Sequence, residues 1–155
     1  MDRLSDHRKY EETTIDTTPI YEGRIISVQV DRVRLPDGRT AQRELVKHPG
    51  AVAVLALLDG RMLVVRQYRK PLERTLIEIP AGKLDPGEDP AGAAARELEE
   101  ETGWRARTLT HLSSFYTSPG FADEIIHLYF TDELERGDAV PDEDEFLDVF
   151  TLSLE

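Results

Sequence analysis

Cysteine is absent from this chain of 155 residues, which excludes disulfides and thiol chemistry and permits a reducing compartment. Long apolar runs are missing too. No stretch approaches the length of a membrane span, and the first eighteen residues are charged and polar with no apolar centre, so no signal peptide is expected and a cytoplasmic protein is the default. Positive charge is scarce: Lys and Arg number 19 against 31 Asp and Glu, a formal net charge of −12. Such a surface repels nucleic acid and anionic membranes, and neither is expected as a partner. A polyanionic substrate would have to be met by local positive charge. There is no internal repeat, and the length suits one ordinary domain with a core of its own.

What the chain does have is concentrated at residues 82–104, GKLDPGEDPAGAAARELEEETGW, where four of the five residues from Glu97 to Glu101 are glutamates. Asp89 is a good N-cap, Pro90 suits the first helical position, and Gly103 can take the left-handed conformation that ends a helix, so a helix is expected over 90–102. On it Ala91, Ala94, Ala95, Leu98 and Thr102 share one side, and Ala93, Glu97, Glu100 and Glu101 another. The first side is small and apolar and can lie close to a sheet. The second brings like charges together at i,i+3 and i,i+4, which destabilises a bare helix by roughly a few tenths of a kcal/mol per pair. A cation is therefore expected there, and hard divalent ions prefer carboxylate oxygens.

Gly82, Glu88, the run Arg96-Glu97-Leu98, the pair Glu100-Glu101, Gly103 and apolar Trp104 match each fixed position of the Nudix box, and the chain closely resembles the Nudix hydrolase family. The resemblance implies a loop and helix that bind Mg²⁺, or Mn²⁺, and present a nucleoside diphosphate linked to another group for attack by water. Carried over by position, Glu97 and Glu101 are the main metal ligands, Glu100 a secondary ligand, and the Ala81 carbonyl a backbone ligand. Arg96 orients a glutamate of the box, and Glu88 braces the loop.

Along the rest of the chain, residues 1–18 are polar and expected to be loosely ordered. From 20 to 46 the pattern alternates around the turn signal Pro36-Asp37-Gly38, which reads as an antiparallel hairpin. AVAVLALL at 51–58 suits a strand buried on both faces. Further strands are expected over 62–68, 75–79, 109–116, 125–130 and 146–154, the last after an acidic run at 142–145. The expected organisation is a polar segment 1–18, a β-hairpin subdomain 19–48 serving dimerisation, and a Nudix domain 49–155. The fold class is α+β: a mixed sheet with one well-marked helix, consistent with the α/β/α sandwich that the resemblance implies. Members of the subfamily that the motifs outside the box resemble generally have a further helix after the last strand. Here half of one helical layer has no candidate, so either the chain is truncated or a partner covers that face.

Outside the box, Arg43-Glu44, His48-Pro49-Gly50-Ala51-Val52, Gln67-Tyr68-Arg69, Glu78-Ile79-Pro80-Ala81-Gly82 and the loop SPGFADE with Pro119 are similar to the ADP-ribose pyrophosphatases. The implied reaction is hydrolysis of ADP-ribose to AMP and ribose 5-phosphate by a homodimer, with other nucleoside diphosphate sugars as further substrates. Arg69 is the expected phosphate partner, since a guanidinium pairs bidentately with phosphate; a salt bridge to Glu73 or Glu78 is its alternative. Glu78 and Arg43 are further substrate-binding candidates. Glu124, in a loop between two strands, is the expected general base, with Glu100 the next candidate. Tyr21, Tyr68, Phe121 and Trp104 are read as adenine-stacking or, more often, core positions. His48 and His127 have no ligand-spaced companion and read as structural. A triphosphate pyrophosphohydrolase shares the box without needing SPGFADE, and a non-catalytic ADP-ribose-binding module often loses box glutamates, all of which this chain keeps.

Overall fold

The structure, a computed structural model, describes residues 7–140 and 146–154; the acidic run at 142–145 lies outside them. The chain divides into two compact units, one built from the residues up to His48 together with Thr117–Glu124, the other from Pro49–Tyr116 and Ile125–Glu155.

The first unit is an antiparallel sheet of three strands, β1 (Thr13–Glu22), β2 (Ser27–Arg34) and β3 (Thr40–Lys47), in that order. Strand β1 starts at Thr13, inside the segment expected to be loosely ordered, and turns the expected hairpin into three strands. All ten of its residues are exposed, so it shows no apolar alternation to read; its signal is instead β-branched, Thr13-Thr14-Ile15 and Thr17-Thr18. The turn expected at Pro36-Asp37-Gly38 joins β2 to β3, with Gly38 at φ 87°. Residues 117–124, assigned from the sequence to the domain 49–155, cluster with this sheet instead. Val46 N–H donates to the Phe121 carbonyl at 2.8 Å, and Asp123 N–H returns to the Val46 carbonyl at 3.2 Å. The Asp123 carboxylate accepts from Lys47 Nζ at 3.0 Å and from His48 N–H at 2.9 Å. Burial works against that carboxylate, but Lys47 and the His48 N–H outweigh it and hold the group below the usual aspartate range.

The second unit is a mixed sheet with one helix. Its strands are β4 (Ala51–Leu58), β5 (Arg61–Arg69), β6 (Arg74–Glu78), β7 (Ala81–Lys83), β8 (Trp104–Ala106), β9 (Thr110–Tyr116), β10 (Ile125–Thr131), β11 (Leu134–Arg136) and β12 (Leu147–Leu152), and helix α1 is Pro90–Thr102. The main path runs β12-β5-β4-β10-β9, with β6 on β5 and β7 on β4, while β8 and β11 form a separate ribbon. Strands β4 and β10 are parallel, and the other pairs are antiparallel. The β4–β5 turn places Asp59 and Gly60 at φ 51° and 74°, the two positive values a tight hairpin turn asks for. The short strands β7, β8 and β11 have no period to detect at three residues each.

Val52, Val54 and Ala56 of β4, Leu63 of β5 and Tyr129 of β10 pack against Ala93, Ala94 and Leu98 of α1. The alanines let the helix lie close to the sheet, and Leu98, fully buried, contributes about 1.5–3 kcal/mol by leaving water. Because Leu63 faces α1, residues 66 and 68 of β5 point to the opposite face, along with Ile77, which pairs with Arg66. Tyr68 and Ile77 there are 55% and 50% exposed. Among the described residues α1 is the only α-helix.

Candidate active site

Helix α1 begins and ends where the caps place it. Asp89 Oδ2 accepts from Gly92 N–H at 3.0 Å, Pro90 opens the first turn, and Gly103 closes the last at φ 69° with its N–H on the Glu99 carbonyl. The division of its faces differs from the expected one in a way that matters to the chemistry. Ala93 and Glu101, expected on the carboxylate side, are buried, and Glu101 is only 1% exposed. The covering element is the segment that runs into β7. Ala81 N–H donates to Glu101 Oε2 at 3.1 Å, and next to it Gly82 lies directly against Glu97. A Cβ on Gly82 would stand 1.9 Å from Glu97 Cδ. Gly82 has no positive φ, so what the position needs from glycine is the missing side chain. The sequence marks Gly82 only as a motif position. A glycine outside any turn signal, followed by a glutamate-rich helix, is the available hint of this close approach.

The positive charge expected on the acidic face is in part supplied by the helix itself. Arg96 donates from Nε and Nη2 to the Glu88 carboxylate at 2.9 and 3.0 Å, and from Nη1 to both Glu97 Oε1 and Glu100 Oε2 at 2.9 Å. Glu88 also accepts from Asp85 N–H at 3.0 Å, so it ties the loop before α1 to the helix. Arg96, helped by that N–H, holds the Glu88 carboxyl below the usual range, and Glu88 in turn raises the guanidinium pKa further. One guanidinium thus serves three carboxylates, leaving a net negative site.

Whether a divalent ion fits is decided by donor chemistry and space. The metal-ligating groups gathered at β7 and α1 are the oxygens of the Glu97 and Glu101 carboxylates, Glu101 meeting the Ala81 N–H, and Glu97 occupies a cradle that a side chain at residue 82 would fill. Hard ions such as Mg²⁺ take such donors. Among the described residues no group of three or more His, Asp or Glu side chains stands in ligand geometry, since Glu97 and Glu100 are turned onto Arg96. The donors fit a hard divalent ion, with Arg96 as its competitor for these two glutamates.

The substrate-binding candidates fall in different places. Arg69 at the end of β5 and Glu78 at the end of β6 form one ion pair, with Nε 3.1 Å from both carboxylate oxygens and Nη2 2.6 Å from Oε2; Glu73 pairs with Lys70. In the other unit, Arg43 is paired with Glu12, and Glu124 accepts from the Thr117 hydroxyl at 2.6 Å. His48, read from the sequence as structural, has Nε2 3.7 Å from Glu124 Oε1. No sequence spacing announces that pair, because the loop 117–124 reaches the end of β3 only in the fold. Of the aromatic candidates, Tyr21, Tyr68 and Phe121 are more than half exposed. Trp104 packs against the core cluster with the Arg136 guanidinium 4.3 Å over its ring.

Comparison with known proteins identifies the family. A family profile described as "NUDIX domain" matches residues 47–155, and one described as "Nucleoside diphosphate sugar hydrolase N-terminal domain" matches residues 12–46. An ADP-ribose pyrophosphatase of Bacillus subtilis (strain 168) is 53% identical over 153 residues, covering 96% of this chain and 82% of the relative. A methanol dehydrogenase activator of Bacillus methanolicus is 54% identical over 149 residues, covering 94% and 80%. The crystal structure of an ADP compounds hydrolase is similar in fold, with a TM-score of 0.82 over 93% of this chain and 79% of that one at 23% identity.

Proposed function

The chain belongs to the NUDIX family and is a Nudix hydrolase, and we propose that its substrate is ADP-ribose, cleaved by water at the diphosphate to AMP and ribose 5-phosphate. The observation that carries the reading is the fit of Gly82 beneath the Glu97 carboxylate beside a buried Glu101, an arrangement with no structural purpose as evident as the gathering of oxygen donors. The relative named an ADP-ribose pyrophosphatase supports the substrate.

Nudix hydrolases act with a divalent ion, here proposed to be Mg²⁺ with Mn²⁺ as the alternative, held by Glu97, Glu101 and the Ala81 carbonyl with Glu100 beside them. When bound, such an ion neutralises phosphate charge and lowers the pKa of a coordinated water. Glu124 is proposed to take the proton of the attacking water, with Glu100 as the second candidate. Arg69, its guanidinium plane fixed by Glu78, pairs with the diphosphate, and Arg43 is a further substrate contact. Arg96 keeps Glu97 and Glu100 oriented and offsets their repulsion in the absence of metal.

A panel of ADP-ribose, other nucleoside diphosphate sugars, ATP and dGTP, scored by product, tests the reading. ADP-ribose is expected to be hydrolysed fastest and to give AMP. Preference for a triphosphate with release of pyrophosphate would overturn the substrate, and tight binding without turnover would favour a sensing module.

Gly82→Ala tests the cradle. The three atoms nearest to the methyl group all belong to the end of a flexible glutamate, so the fold should lose about 1 kcal/mol or less, the cost of an off-rotamer side chain. Displacement of the Glu97 carboxylate by an ångström or more should nevertheless lower kcat/KM by about 10²-fold. Unchanged kcat/KM, with the substitution verified and the melting temperature preserved, would remove Glu97 from the reaction.

A homodimer is proposed from the N-terminal sheet, the segment 19–48 being its dimerisation subdomain. Ile15, Ile20 and Tyr21 of β1 are 38–60% exposed, and a sheet that leaves such residues in water is expected to cover them with a second copy. Sedimentation at micromolar concentration should give twice 17.6 kDa; a fully active species of single mass would count against it.

A further inference from the structure

At the edge of the sheet a strand irregularity assembles a second set of metal-ligating side chains. Among the described residues strand β9 pairs only with β10, and all its residues are exposed. Its register slips between Leu128 and Tyr129: Leu128 faces Ser113 while Tyr129 faces His111, leaving Leu112 as an extra residue. In a regular strand, residues three apart point to opposite faces, and one inserted residue reverses that parity. His111 and Ser114 therefore come to one face together with His127, the partner of Ser114, and Tyr129. Ser114 Oγ lies 2.8 Å from His111 Nε2 and 2.7 Å from His127 Nδ1. The two imidazole centroids are 6.5 Å apart, and the Tyr129 ring stands edge-on to His111 at 5.4 Å.

A hydroxyl has a single proton, so it donates to one imidazole nitrogen and accepts from the other. The result is two ring nitrogens aimed at one point, with His111 and Ser114 exposed and His127 half-buried. We propose that His111 and His127 form a second metal site, taking a borderline transition-metal dication such as Zn²⁺, Ni²⁺ or Cu²⁺ in preference to Mg²⁺, with water and the Ser114 hydroxyl available to complete the coordination. Imidazole suits these ions, whereas Mg²⁺ selects oxygens. A metal–nitrogen bond of about 2.0–2.1 Å is shorter than the present nitrogen-to-oxygen distances, so both imidazoles close on the ion by side-chain rotation and the Ser114 hydroxyl turns from bridge to neighbouring ligand.

The site is separate from the one on α1. His127 faces Val52 of β4, and Val52 faces Gly82 of β7. Two strand spacings, about 10 Å in all, therefore lie between the backbones of His127 and Gly82, and His127 Nδ1 is engaged with Ser114 of β9, on the side of β10 away from β4 and β7.

The test is calorimetric titration of chelator-treated protein with Ni²⁺ in the presence of excess Mg²⁺, which keeps the oxygen site filled. One Ni²⁺ per chain is expected. His111→Ala and His127→Ala should each weaken it at least tenfold, with unchanged circular dichroism. A Glu97→Gln, Glu101→Gln double variant should bind as the wild type does. In the wild type, Cu²⁺ in place of Ni²⁺ should show electron-spin coupling to two imidazole nitrogens, a readout that needs no variant to fold. Absence of stoichiometric binding, wild-type affinity in the two histidine variants, loss of binding in the glutamate variant, or coupling to fewer than two nitrogens would each overturn the proposal.

Discussion

Glu101→Gln is expected to leave a folded protein at least as stable as the wild type without metal, and to reduce hydrolysis of ADP-ribose by about 10³-fold or more. The first half rests on burial. Glu101 is 1% exposed, and holding a carboxylate out of water is costly even when it accepts a hydrogen bond. Glutamine keeps an oxygen for the Ala81 N–H and removes the charge. The second half rests on the proposed ligand role, because the charge stabilisation from a divalent ion is several kcal/mol and each 1.36 kcal/mol is about tenfold in rate. Arg96 does not compensate, since its contacts are to Glu88, Glu97 and Glu100. Thermal melting with and without Mg²⁺ separates the two halves: Mg²⁺ should raise the wild-type melting temperature by mass action and raise that of the variant much less. Turnover retained at saturating Mg²⁺ would remove Glu101 from the ligand set.

Legibility in the sequence followed how local each cause is. Helix α1 could be read to the residue because Asp89, Pro90 and Gly103 act on their immediate neighbours. Strand β4 was readable because eight apolar residues in a row have few other uses. Strand β1 was not, since a strand exposed along its whole length carries no alternation. The family and the identity of the box residues were legible from motif order, but their environment was not. Glu101 and Glu97 sit on the same helix at i,i+4, and only the packing of residues 81 and 82 makes one a buried acceptor and the other the occupant of a glycine cradle. The pairing of Arg69 with Glu78 was one of two alternatives left open, and the choice depends on β6 lying beside β5. His111, Ser114 and His127 could not be grouped at all, because their common face is produced by one unpaired residue in the ladder.

Glu124→Gln should separate chemistry from binding. If the carboxylate removes a proton from the attacking water, an isosteric amide that cannot accept it should lower kcat by about 10²- to 10⁴-fold, the usual size of a general-base contribution, with little change in KM. Glutamine can still accept from the Thr117 hydroxyl, which holds this side chain at 2.6 Å, and the backbone closure of the loop, Thr117 N–H to the Glu124 carbonyl at 3.1 Å, is untouched. Misplacement of the loop is therefore not the expected cause of any loss. Arg69→Ala offers the contrast. If Arg69 has its proposed role, this removes a charge that the ground-state diphosphate already feels, so KM should rise, and it leaves Glu78 without the guanidinium that Arg69 provides. A Glu124→Gln enzyme with near-normal kcat would transfer the role of base to Glu100. In the structure Glu100 Oε2 accepts from Arg96 Nη1, a bond that leaves the second carboxylate oxygen to take a proton, and Glu100→Gln should then lower kcat more than Glu124→Gln does.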